Sequence, residues 1–180
     1  MKFLLPFILL FFVLCSCVSN VPLPDSDGQP KIGYHIGNLA PDFSLPARDG
    51  STFQLKSLRG KVVFLNFWAT WCPPCLVEMP SMEKLLKEMK GKDFEMVAIS
   101  VDSNGWAVID PFVQKHQFSF KVVLDQKMEV AKLYKSYRFP ETFLIDREGK
   151  IIDKRVGAAN WNSPKMIKYF KELTTLQMSR

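Results

Sequence analysis

The apolar positions of the chain change rhythm several times. An unbroken apolar run from Phe3 to Leu14 is followed by a stretch with no periodicity, and from about Gly37 strand-like and helix-like spacings alternate. In "PDFSLPARDGSTFQL" two short strand signals flank the turn dipeptide Asp49-Gly50, which predicts a hairpin. "KVVFLNFWA" is a continuous apolar run of strand length, the pattern of a central strand covered on both faces. "CLVEMPSMEKLLKEMK" sets Leu76, Met79, Met82, Leu85, Leu86 and Met89 at helical spacing. A kink is expected at Pro80, whose nitrogen has no proton for the helical bond. "FEMVAISVD" predicts a second buried strand, "PFVQKHQ" a helix fragment, "FKVVLD" a third strand and "MEVAKLYKSY" a short helix. "ETFLIDREGKIIDKRVG" reads as a hairpin turning at Glu148-Gly149, and "SPKMIKYFKELTTL" as a terminal helix with Ser163 as N-cap and Pro164 in the first turn. The alternation predicts an α/β domain, a central mixed sheet flanked by helices.

At 180 residues with 47% apolar positions, the chain can bury one full-sized core. The organisation expected is a signal peptide with a lipobox over 1–17, a flexible tether over 18–36 and one globular domain over 37–180. The run Phe3 to Leu14 is short for a membrane span and suits a secretory leader. Leu14-Cys15-Ser16-Cys17 resembles a bacterial lipobox, with Cys17 as the lipidated residue. The segment that follows, "VSNVPLPDSDGQPKIG", has the composition of an extended tether. The domain is therefore placed outside the cytoplasm and tethered to a membrane, where disulfides persist. The net charge of +6 changes little. Lys84, Lys87, Lys90, Lys92, Lys132, Lys135 and Arg138 are dispersed among acids at helical spacings, which describes solvated helix faces rather than a nucleic-acid surface.

The candidate chemistry lies in "WCPPCLVEMP", Trp71 to Pro80. Zinc requires four ligands, but the remaining candidates are His35 and His116, neither at ligand spacing, and Cys15 and Cys17 in the leader. Covalent haem attachment needs His directly after the second cysteine, where this chain has Leu76. A staple closing so small a loop would constrain the unfolded chain little. Redox work fits the position best. Cys72 falls where a buried strand ends and Cys75 in the first turn of the next helix, where backbone N–H groups and the helix dipole stabilise a thiolate. Neither metal nor cofactor is expected.

Together, "FLNFWATWCPPCLVEMP" and "RFPETFLID" resemble the thioredoxin superfamily, and more narrowly its extracytoplasmic TlpA/ResA/CcmG-like thiol-disulfide oxidoreductases. The resemblance covers roughly Gly37 to the C-terminus. It implies a thioredoxin-like fold with an N-terminal β-hairpin extension and a strand-helix insertion near Phe94 to Leu124. It also implies Cys72 as attacking thiol, Cys75 as resolving thiol, a redox-active disulfide between them, and Pro140 as a cis-proline facing the pair. Client contacts would fall to Trp71, Pro73, Pro74 and Phe139. Cytoplasmic thioredoxins carry a buried Asp six positions before the first cysteine, whereas this chain has Asn66. Glu78, on the same helix face as Cys75, is the expected replacement, a carboxyl of raised pKa that exchanges a proton with Cys75. The implied role is reduction of disulfides in exported clients, apocytochrome c among them. The implied partners are those clients, a membrane thiol electron donor and the membrane itself, and the implied state is a monomer.

Two alternatives stay open. "APDFSL", Ala40 to Leu45, resembles the opening of peroxiredoxins and admits a thiol peroxidase, although Thr70 stands two residues before Cys72 where the peroxidatic pattern places Thr three before. A copper metallochaperone using both cysteines is the other. Peroxide consumption and anaerobic copper titration of the reduced protein separate them from a disulfide reductase. For the tether, Cys17→Ala is expected to leave membranes or to accumulate as an unprocessed precursor; a variant that fractionates and migrates like the native protein would remove the lipidation assignment.

Overall fold

The computed structural model describes residues 30–176; the leader, the lipobox with Cys17 and most of the tether lie outside the described residues. Ser44–Pro46 (β1) and Thr52–Gln54 (β2) form the expected antiparallel hairpin as a sheet of their own. The main sheet has five strands, Val62–Trp68 (β3), Phe94–Ser100 (β4), Lys121–Leu124 (β5), Glu141–Ile145 (β6) and Ile151–Val156 (β7). Their order is β5-β4-β3-β6-β7. β3 runs parallel to β4 and β4 to β5, while β3 with β6 and β6 with β7 are antiparallel. Every residue of β3 is buried, as its unbroken apolar run requires of the central strand.

Among the described residues four α-helices accompany the sheet, Pro73–Glu88 (α1), Trp106–His116 (α2), Glu129–Leu133 (α3) and Pro164–Leu176 (α4). The two faces of β3 are read from its own alternation. Phe64 meets Trp161 and Phe170 of α4, and Trp68 meets Phe112 of α2. Phe67 on the opposite face meets Tyr134 and Phe143, and the Tyr134 hydroxyl donates to Pro41 O at 2.6 Å, fastening the segment before β1 onto the domain. The segment expected to hold an inserted strand and helix contains β4, α2 and β5.

Some boundaries differ from the sequence expectation. Helix α2 begins at Trp106, five residues before Pro111, and carries that proline inside it. A proline marks a helix start only when it lies in the first turn; here the chain gives up one helical bond further along. Helix α1 runs through Pro80, within the single helix that its spacing predicts. Residues 31–36, read as the end of the tether, are hydrogen-bonded, with Gly33 N donating to Leu39 O and Leu39 N to Lys31 O, each at 2.9 Å. Gly37 N and Asn38 O then pair with Ile151, laying this segment beside the β6–β7 turn. That turn uses Gly149 at φ 88, a left-handed conformation open to glycine. Among the described residues no helix is long and apolar enough to cross a membrane.

Candidate active site

Cys72 is the N-cap of α1, and Pro73 and Pro74 open its first turn. Prolines suit that turn because its N–H groups have no helical partner, but they also remove two donors from the helix end. The first remaining amide, Cys75 N, donates to Cys72 Sγ at 3.3 Å. Cys72 and Cys75 form a disulfide with their Cα atoms 5.3 Å apart. Both residues are buried, Cys72 retaining 3% exposure and Cys75 none. Around them Trp71 is 63% exposed, Pro73 and Pro74 are exposed, and Phe139 is half-buried. Trp71 and Phe139 meet edge to face with centroids 6.2 Å apart, joining the cysteine loop to the Phe139–Pro140 segment. The Phe139–Pro140 peptide bond is cis.

Glu78, 2% exposed, faces into the protein from α1. Its Oε1 accepts from Asn66 Nδ2 at 2.9 Å; its Oε2 accepts from Trp161 Nε1 at 2.9 Å and from Ala159 N at 3.1 Å. Asn66 Nδ2 also donates to Thr142 Oγ1 at 2.9 Å, so the amide at the old aspartate position bridges β6 to the carboxylate. Burial pushes the Glu78 carboxyl above its usual range; the bonds from Trp161, Ala159 and Asn66 and the charge of Arg155 pull the other way without cancelling it. Ser81, one turn on, donates its hydroxyl back to Glu78 O at 2.7 Å and holds the same loop by accepting from Trp161 N at 3.0 Å.

Sequence reasoning missed a second buried carboxylate. Asp102 accepts from Thr70 Oγ1 at 2.6 Å, Thr70 N at 3.0 Å and Ser100 Oγ at 2.7 Å, tying the loop before Cys72 to the end of β4. The one available signal was an acid placed directly after a buried strand, "FEMVAISVD". Trp161 was missed too, since it lies in the aperiodic "GAANWNS". Among the described residues no group of three or more His, Cys, Asp or Glu is placed to hold a metal ion.

A disulfide capping a helix at the end of a central strand is a thioredoxin-like arrangement; near it Phe139, before the cis bond to Pro140, meets Trp71, and the buried Glu78 lies one helical turn after Cys75. The AhpC/TSA family model matches residues 36–154. The thiol-disulfide oxidoreductase ResA of Bacillus cereus is 36% identical over 150 residues, 83% of this chain and 86% of the relative. The chain belongs to the AhpC/TSA family, as a thioredoxin-like thiol-disulfide oxidoreductase. Solved structures similar to this AhpC/TSA member include a Chlorobium tepidum protein assigned as thiol:disulfide interchange protein DsbE, with 33% identity, a TM-score of 0.68, and coverage of 78% of this chain and 96% of that one. The pneumococcal exposed lipoprotein thioredoxin of Streptococcus pneumoniae is 27% identical with a TM-score of 0.63, covering 74% of this chain and 100% of that one.

The environment of Glu78 sets a pH dependence. Its folded-state pKa lies above the unfolded value, so between the two the folded protein binds more protons and stability falls as pH rises. Each unit of elevation corresponds to about 1.4 kcal/mol. With the disulfide formed, neither cysteine titrates. Urea midpoints of the oxidised protein and of Glu78→Gln, measured from pH 4 to pH 8, should therefore diverge in the variant's favour as pH rises; a constant difference would show that the carboxyl is not raised.

Proposed function

We propose that this oxidoreductase is a membrane-tethered, extracytoplasmic reductase of disulfides in exported client proteins, working through Cys72 and Cys75. The observation that carries this reading is the set of groups around the disulfide. Two prolines leave one first-turn amide, Cys75 N, aimed at Cys72 Sγ, and a buried carboxyl lies one turn further on. Few donors and a nearby carboxylate both make a thiolate costly, which favours the oxidised form of the pair and makes the dithiol a reductant.

The cycle starts from the dithiol. Cys72 attacks a client disulfide as thiolate, forming a Cys72–client mixed disulfide and expelling one client thiolate. Glu78 takes the proton of Cys75, whose sulfur then attacks Cys72 Sγ and expels the second client thiolate. The client thiolates take up the two protons released, that of Cys72 through solvent and that of Cys75 from Glu78, and leave as a dithiol; the Cys72–Cys75 disulfide has formed, and a membrane dithiol donor restores two electrons and two protons. Trp71, Phe139, Pro73 and Pro74 supply the apolar rim for the client, and cis Pro140 presents backbone beside the pair. Apocytochrome c before haem attachment is the client class that the family resemblance favours. Location outside the cytoplasm, with Cys17 as lipid anchor, draws support from the leader sequence and from the resemblance to an exposed lipoprotein thioredoxin.

Two measurements test this. Cys75→Ser should accumulate mixed disulfides through Cys72 in cells, whereas Cys72→Ser should not; equal trapping by both variants would remove the division of roles. A glutathione or dithiothreitol titration should place the couple nearer thioredoxin's potential of about −270 mV than the about −120 mV of strongly oxidising relatives, and a value above about −180 mV would make the protein an oxidant or isomerase.

A further inference from the structure

We propose that Trp161 and Arg155 are a positioning pair for Glu78, holding its carboxylate ready to accept a proton by a hydrogen bond from an indole that carries a guanidinium on its face. The proposal rests on the reading of Glu78 as proton acceptor and assigns the residues that would set its acidity.

The geometry forms a short chain from solvent to the carboxylate. The Arg155 guanidinium, on an exposed residue of β7, lies 5.5 Å from the centre of the Trp161 ring. The indole Nε1 donates to Glu78 Oε2 at 2.9 Å. The ring is fixed on every side. It is 1% exposed, stands edge to face on Phe64 with centroids 4.7 Å apart, packs against Phe170, and is held at its backbone nitrogen by Ser81 Oγ. Ser81 and Glu78 belong to the same helix, so α1 fixes both the donor and the acceptor.

The chemistry of the donor makes this contact selective. An indole N–H donates and cannot accept, so it stabilises the carboxylate and offers nothing to the O–H of a protonated Glu78. The Ala159 amide, on the same oxygen, has the same one-way character. Cation–π attraction draws density from the ring face, which strengthens the N–H as donor, and the Arg155 charge itself favours an ionised Glu78. Among the described residues the remaining side-chain partner of the carboxylate is uncharged, Asn66 from β3, backed by Thr142 from β6, and the cysteine pair on the same helix does not titrate as a disulfide. A buried indole N–H needs an acceptor in any case; what separates positioning from core filling is whether removing the donor, or the Arg155 charge over the ring, moves the acidity of Glu78.

The test is a carbon-13 NMR titration of the Glu78 side-chain carboxyl in the oxidised full-length protein, with Trp161→Phe and Arg155→Met. Trp161→Phe keeps an aromatic ring and removes the donor; it should move the Glu78 midpoint to higher pH by about one unit or more, equally at low and high salt. Arg155→Met alters an exposed residue and should move the midpoint the same way by less, with the shift shrinking as salt rises. An unchanged midpoint in either variant, Arg155→Met being read at low salt, would overturn the pair, and Arg155→Met decides alone should Trp161→Phe fail to fold. The readout does not depend on turnover. If Glu78→Gln leaves thiol exchange unaltered while both midpoints shift, the proton-acceptor reading fails and the positioning pair stands.

Discussion

A central strand buried on both faces must release its chain at the end of the sheet, and the site depends on where β3 does so. Its register with its neighbours brings everything else to that end. Trp68 pairs with Ser100 of the parallel strand β4, so the residues just beyond each, Thr70 and Asp102, come into hydrogen-bonding range. Phe67 pairs with Glu141 at the start of antiparallel β6, so the segment before it comes to this end of the sheet, where Phe139 meets Trp71 of the cysteine loop. Glu141 in turn pairs with Val156 at the end of β7, and Gly157 N donates to Pro140 O. The loop that follows carries Ala159 and Trp161 back over α1. Parallel and antiparallel neighbours on the two sides of one strand place two chain exits and one chain entry at a single edge. No local feature of the cysteine motif would do that.

The buried carboxylate inside this frame is a compromise between two large terms. Taking an ionised Glu out of water costs several kcal/mol unless hydrogen bonds replace its hydration. Three donors do so incompletely, and the carboxyl remains easier to protonate than one in water. A fully exposed carboxyl would stay ionised and a fully unpaired one would stay neutral; this one lies between the two, as the proposed proton exchange with Cys75 requires. Two of these donors, Trp161 Nε1 and Ala159 N, tie α1 to the loop after β7, so the carboxylate is also a structural clasp between elements far apart in sequence.

Much of this was legible in the chain because the signals were local. The apolar run of β3, the spacing of Met79, Met82 and Leu85 in α1 and the Glu148-Gly149 turn each announce one element, and each is where its pattern puts it. Glu78 could be singled out because Asn66 stands at the position that usually carries the acid and the helix repeat joins Glu78 to Cys75. Trp161 and Asp102 could not. Their partners lie 83 and 32 positions away, and only the strand register brings them together. The start of α2 was hidden for a different reason. Pro111 looked like a helix opening, while the positions before it, Trp106 to Asp110, offer too short a repeat to outvote a proline.

The pair of prolines shows how one local choice serves fold and chemistry at once. In the first turn of α1 they cost no helical bond and restrict the unfolded chain, both of which favour the helix beginning at this point. They also reduce the positive end of the helix dipole to the amides that remain, of which Cys75 N is directed at Cys72 Sγ. Any other residue at either position would restore an N–H near Cys72 Sγ and lower the cost of a thiolate there. The feature that starts the helix thus also limits how far the helix can stabilise the reduced pair, and the balance between dithiol and disulfide depends on the same two residues that open the helix after its cap at Cys72.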